Sequence, residues 1–118
     1  MDCFIKIMGF IGIAFSLINN SLAQSVEIRT YHNDDSTLIK EIYHIDEFAK
    51  LNGPYKSYFI NSTLEKEGFY TNNLPDSLWT YYFENGQPKM RGMLKNGSNH
   101  GLWEYFYENG KLQMAGMI

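Results

Sequence analysis

The sequence predicts an all-β protein, a single-layer twisted antiparallel meander of β-hairpin repeats preceded by an N-terminal signal helix. Three observations carry that expectation: an internal period, Asn-Gly pairs that recur within it, and a composition rich in aromatic residues. The stretch Leu78-Trp79-Thr80-Tyr81-Tyr82-Phe83-Glu84-Asn85-Gly86 returns as Leu102-Trp103-Glu104-Tyr105-Phe106-Tyr107-Glu108-Asn109-Gly110, shifted by 24 positions. A fixed period of that size is the mark of a repeat architecture. The 118 residues include 9 Tyr, 8 Phe and 2 Trp but only 3 Pro, which argues against disorder for most of the chain.

Taken in chain order, residues 1–23 read as a secretory signal. Lys6 supplies positive charge, and 7–18 form an apolar run of 12 residues. A spanning helix needs about 20, so the run is too short to cross a bilayer comfortably. Ser21-Leu22-Ala23 then places small residues at −3 and −1 of a cleavage site before Gln24. The mature chain is expected to start at Gln24 and to reside outside the cytoplasm, secreted or in the periplasm or cell envelope. An uncleaved segment would make this the one membrane contact. Cys3, the single cysteine, departs with the signal, so the mature part is expected to hold neither disulfide nor thiolate metal site.

Residues 24–50 form a degenerate first repeat plus connector, and the repeats proper are 51–77, 78–101 and 102–118. The register after the two Trp copies holds without a gap, Met90, Gly92 and Met93 mapping onto Met114, Gly116 and Met117. One period earlier, Tyr55, Tyr58, Phe59, Asn61 and Gly68 lie under Trp79, Tyr82, Phe83, Asn85 and Gly92. The first copy, around Tyr31 to Tyr43, fits if one residue is inserted near Asp34-Asp35. In 44–51, Ile45, Phe48 and Leu51 stand at helical spacing and allow a helical turn or a loop.

Within a copy the local chemistry specifies a hairpin. A β-branched and aromatic run ends at Asn85-Gly86, and again at Asn109-Gly110, the strongest short signal for a two-residue type I′ turn. After the turn, Lys89, Arg91, Met93 and Lys95 alternate with Met90, Gly92 and Leu94, so one face is wet and the other dry. The stretch 96–101, Asn-Gly-Ser-Asn-His-Gly, reads as a turn-rich connector between hairpins. A meander sets equivalent residues in register, so Tyr55, Trp79 and Trp103 should form one ladder and Gly68, Gly92 and Gly116 another. The glycines would make room for rings from the adjacent strand. Since one sheet cannot cover both its faces, rings of the Tyr55, Trp79, Trp103 ladder or of the Tyr58, Tyr82, Phe106 ladder should remain partly exposed. Tyr55, Trp79, Tyr82, Trp103 and Phe106 are therefore the candidate binding residues, with Trp103 weighed between a contact role and simple packing over Gly92 or Gly116.

The pattern Gly101-Leu102-Trp103-Glu104-Tyr105-Phe106-Tyr107-Glu108-Asn109-Gly110 resembles the bacterial variant of the MORN repeat, the kind found in antitoxin-like repeat proteins. Gly53-Pro54-Tyr55-Lys56-Ser57-Tyr58-Phe59 is similar, with Tyr in place of Trp. The resemblance covers 51–118 well and 26–43 loosely. It implies a twisted antiparallel sheet used for protein or lipid contact, and it brings no catalytic residues. Trp-x-Tyr-Tyr hairpins are also similar to choline-binding cell-wall repeats, which cage a quaternary ammonium between rings.

No catalytic or metal-ligating constellation is legible. His32, His44 and His100 lack ligand spacing and read as surface or loop side chains, and Glu84 and Glu108 read as solvated turn neighbours. A formal net charge of −3 with mixed signs argues against nucleic acid. The expected function is a non-enzymatic, cofactor-free exported module that binds a protein partner in the envelope, with self-association through the C-terminal edge strand as one route. Two alternatives stand beside it: a cell-wall or small-ligand-binding aromatic array, and an antitoxin-like partner of a toxin.

Overall fold

A computed structural model describes residues 4–8 and 25–118. Two kinds of turn alternate along the chain, and between them they fold it back and forth. At one end of the sheet, Gly86 N–H donates to the Phe83 carbonyl at 2.9 Å, Phe83 N–H donates to the Gln87 carbonyl at 2.8 Å, and Gly86 has φ of 92°. Asn85 is not left-handed, so this is a type I turn closed by one left-handed residue, not the expected type I′. Tyr107 to Lys111 repeats it with Gly110 at 90°, and Phe59 to Thr63 does so with Ser62 at 71°. The side chains of Asn85 and Asn109 accept from the N–H of Gln87 and Lys111, each at 2.9 Å, which explains Asn at that position.

True two-residue type I′ turns lie at the other end. Asn72 and Asn73 have φ of 50° and 72°, and Asn96 and Gly97 have 51° and 85°. The expected connector over 96–101 is therefore only this turn, and Ser98 already belongs to the next strand. Residues 46–50 make another type I turn, Asp46 carboxylate accepting from the Phe48 and Lys50 N–H groups, with Ala49 left-handed at 62°. Of the two options for that segment, it takes the loop. In the first hairpin His32 N–H closes on the Leu38 carbonyl, a loop two residues longer than Phe59 to Thr63 and so one more than the sequence comparison required.

The strands so produced are β1 (Phe4–Met8), β2 (Val26–Tyr31), β3 (Ile39–Ile45), β4 (Gly53–Tyr58), β5 (Leu64–Thr71), β6 (Leu74–Tyr82), β7 (Pro88–Lys95), β8 (Ser98–Phe106) and β9 (Leu112–Met117). They form one antiparallel sheet whose strand order is the chain order. No helix occurs among the described residues. The expected signal helix falls on 1–23, of which only Phe4–Met8 is described, paired with β2; the rest lies outside the described residues.

Register assigns the faces. Ser57, Lys66, Tyr81, Met90, Tyr105 and Met114 oppose one another in succession across β4 to β9 and share one face. Tyr55, Trp79, Leu94 and Trp103 form the buried cluster there, flanked by Tyr43, Tyr70, Tyr81, Met90 and Tyr105. Tyr55, Tyr70 and Trp79 meet with ring centroids 5.3 to 5.6 Å apart, the tilted and edge-on geometry that aromatic quadrupoles favour. On the other face Lys56, Glu67, Thr80, Arg91, Glu104 and Ala115 run across the sheet.

Candidate contact surfaces

Each tryptophan is placed by a kink two residues before it. Gly53, Ser77 and Gly101 all have positive φ, 123°, 67° and 77°, and each precedes its aromatic by two positions: Tyr55, Trp79, Trp103. The left-handed residue lets the strand bulge against its neighbour, and register shifts follow at Glu67/Phe69 and Gly92/Met93. The indole then swings over a glycine of the preceding strand. A Cβ on Gly68 would sit 2.1 Å from Trp79, and one on Gly92 would sit 2.1 Å from Trp103. Trp103 Nε1 donates to the Met93 carbonyl at 3.1 Å, and Trp79 Nε1 reaches the carbonyls of Phe69 and Asp76 at 3.2 Å. Glycine rungs covered by rings were expected, and Gly68 and Gly92 behave so. Gly116 does not, since nothing lies within 4 Å of its Cβ position.

This geometry redistributes the candidate binding residues. Tyr55, Trp79 and Trp103 are 8%, 3% and 4% exposed, so the first ladder is core and offers no rings to a partner. Trp103 packs over Gly92. The second ladder, Tyr58, Tyr82 and Phe106, is half-buried on the opposite face. There Tyr82 hydroxyl donates to Glu67 at 2.6 Å, and the Arg91 guanidinium stands 5.2 Å from the Phe106 ring centre while pairing with Glu104 at 2.8 Å. Burial together with the Glu67 bond pushes the Tyr82 phenol up to about 12. On the core face, burial and a 2.7 Å bond to Glu41 raise the Tyr55 phenol well above its ordinary value. Asn85, Gly86, Asn109 and Gly110 sit at turns as expected, though of the other type.

Exposed apolar area lies elsewhere. Leu78 opposes Met93, Leu102 opposes Met117, and Phe69 lines one shallow depression with Leu78. All five stand on the face opposite the tryptophans, with Leu78 52%, Leu102 48% and Met117 75% exposed. They make an apolar row beside the charged rungs. The alternation in 89–95 gave a hint, Met93 sharing the wet face with Lys89 and Arg91. The Leu preceding each Trp carried no such hint, because its exposure depends on the bulge.

The histidines remain dispersed. His32 Nε2 lies 2.9 Å from the Tyr58 carbonyl oxygen, and His44 Nδ1 lies 3.1 Å from that of Pro54. Among the described residues no three His, Cys, Asp or Glu side chains are grouped to hold a metal. A comparison with curated proteins finds no match. A family model described as the MORN repeat variant matches residues 75–96 and 99–116, so the hairpins β6–β7 and β8–β9 are similar to MORN repeats.

Proposed function

We propose that this chain is an exported, non-enzymatic repeat protein that acts as a protein-interaction scaffold in the cell envelope, with the row Phe69, Leu78, Met93, Leu102, Met117 as its contact surface. The observation that carries the reading is that row. Side chains about half exposed or more line up on one side of a thin sheet, beside paired charges that would fix a partner's orientation. MORN repeats are commonly protein- or membrane-interaction modules, which agrees. Export rests on the leader-like segment before Gln24.

A second observation favours a scaffold over an aromatic cage for a quaternary ammonium. Lys66 Nζ stands 5.8 Å from the ring centres of both Tyr55 and Tyr81, so the chain's own cation occupies that space. The test is a Leu78→Lys, Leu102→Lys double variant expressed in the native host with its leader. Expected are a mature N-terminus at Gln24, an unchanged melting temperature, and loss of the envelope proteins crosslinked to the wild type. Recovery of intact Met1 in the cytoplasm, or crosslinks that survive both lysines, refutes the proposal.

A further inference from the structure

A groove over β2, β3 and β4 gathers cations on a chain whose formal net charge is −3. It measures about 260 Å³, lies on the face opposite the tryptophans, and shares no lining residue with the apolar row. Register builds it: Arg29, Ile42 and Lys56 oppose one another in one rung, and Glu27 opposes His44 in the next rung of the same face. Among the described residues Glu27 is the only carboxylate that lines it, and that carboxylate is already engaged. Its Oε2 accepts from Arg29 Nε at 2.6 Å, and its Oε1 lies 3.8 Å from His44 Nε2. His44 Nδ1 stands 3.1 Å from the Pro54 carbonyl oxygen, which can only accept, so Nδ1 carries the hydrogen there and the ring is fixed. The donors, by contrast, are not used up. Arg29 donates through Nε alone, so its two Nη groups have no protein acceptor among the described residues, and neither do the Lys56 ammonium and the Tyr58 hydroxyl. Glu67, opposite Lys56 on β5, accepts from Tyr82 instead.

We propose that this groove receives a side-chain carboxylate of an acidic partner polypeptide, held between the Arg29 guanidinium and the Lys56 ammonium above Ile42. A guanidinium anchored at Nε presents its two Nη groups as a planar fork that matches a carboxylate. The two cations stand two strands apart, roughly 10 Å between backbones at the ordinary strand spacing. One carboxylate therefore fits between the two long side chains, with Ile42 as an apolar floor for the methylenes that carry it. Charge complementarity selects the acid, and continuity selects a polypeptide. Pro54 at the rim opposes Phe69, where the apolar row begins, so one extended partner chain reaches both. In that clause the proposal rests on the row as a contact surface and names the chemistry of the partner it would take. A free small acid would gain the same ion pairs and nothing from Phe69.

The probe is the blocked peptide acetyl-Leu-Glu-Leu-Glu-amide, titrated at low salt into the isotope-labelled full chain while backbone amide shifts are followed by NMR. Saturable shifts are expected at the groove residues of β2, β3 and β4. Replacing both Glu of the peptide by Gln should weaken binding about tenfold, since charge-assisted hydrogen bonds are about twice as strong as neutral ones. Lys56→Gln in the protein should weaken it about threefold and Lys56→Glu about tenfold or more. Both variants should melt like the wild type, because Lys56 is exposed and its ammonium has no partner among the described residues. Shifts that fail to saturate or that fall outside the groove overturn the proposal. So does equal affinity for the Glu and Gln peptides, or a Lys56→Glu protein that binds like the wild type, or succinate that saturates the groove as tightly as the peptide. Loss of the row's crosslinks with the preference for Glu intact refutes the row and supports the groove, whereas surviving crosslinks without that preference refute the groove alone.

Discussion

Gly92→Ala tests whether the glycine rung, rather than the aromatic content in general, holds this sheet together. Gly92 has no positive φ, so alanine is acceptable to the backbone and the whole effect is steric. The new methyl would meet Cδ2, Cε2 and Cγ of Trp103 at 2.1, 2.2 and 2.5 Å. Those are atoms of a rigid fused ring, so the indole must shift as a unit. Overpacking with partial relaxation costs about 1–3 kcal/mol. If the ring leaves altogether, the cost approaches the roughly 3–5 kcal/mol of deleting a buried Trp, with about 1 kcal/mol more for the bond from Nε1 to the Met93 carbonyl. We expect a loss of about 2–4 kcal/mol, larger than steric overpacking alone because the ring belongs to the four-residue buried cluster. Gly116→Ala is the internal control. It meets nothing within 4 Å and should be neutral or gain up to about 1 kcal/mol from reduced unfolded-state freedom. Urea unfolding followed by tryptophan fluorescence and by far-ultraviolet circular dichroism measures both. Stabilities of the two variants that agree within about 0.5 kcal/mol would refute the packing argument.

Gly86→Val should cost about 1–2 kcal/mol or more through backbone strain alone, since φ is 92° and no atom crowds the site; Gly86→Asn should recover part of it, and thermal melts compare the two. Tyr82 makes stability fall at high pH. Its phenol is held protonated up to about 12 against an ordinary 10.0, so its contribution is complete below pH 10 and disappears as the pH rises through 12. Tyr82→Phe should be less stable at pH 7 by about 1 kcal/mol for the lost bond to Glu67, with a shallower decline between pH 10 and 12 in alkaline unfolding. Leu78→Lys should stay within about 0.5 kcal/mol of wild type in urea, because the side chain is half exposed; a larger loss would mean that it is core.

Much of this was legible in the residues themselves. The period of 24, the hairpin in each copy, the alternation in β7 and the pairing of aromatic with glycine rungs are local or periodic properties. Exposure was not legible. Trp79 and Leu78 are neighbours on opposite faces, and both look equally suited to a core. Their fates diverge because the left-handed residue at Ser77 turns the indole onto Gly68 of the adjacent strand, a contact 11 residues away in sequence that exists only once the strands pair. The turns teach the same lesson. Asn-Gly is compatible with a type I′ turn and with a type I turn closed by a left-handed glycine. At 96–97 the flanking strands pair directly and the former results; at 85–86 and 109–110 a bulge at Tyr81/Tyr82 and Tyr105/Phe106 shifts the register and the latter results. The sequence by itself determined the strands, their order and their faces, because those follow from side-chain periodicity. The tertiary structure decided that the Tyr55, Trp79, Trp103 ladder is buried, that Leu78 and Leu102 stay exposed, and which turn each Asn-Gly adopts, because these depend on how one strand meets the next.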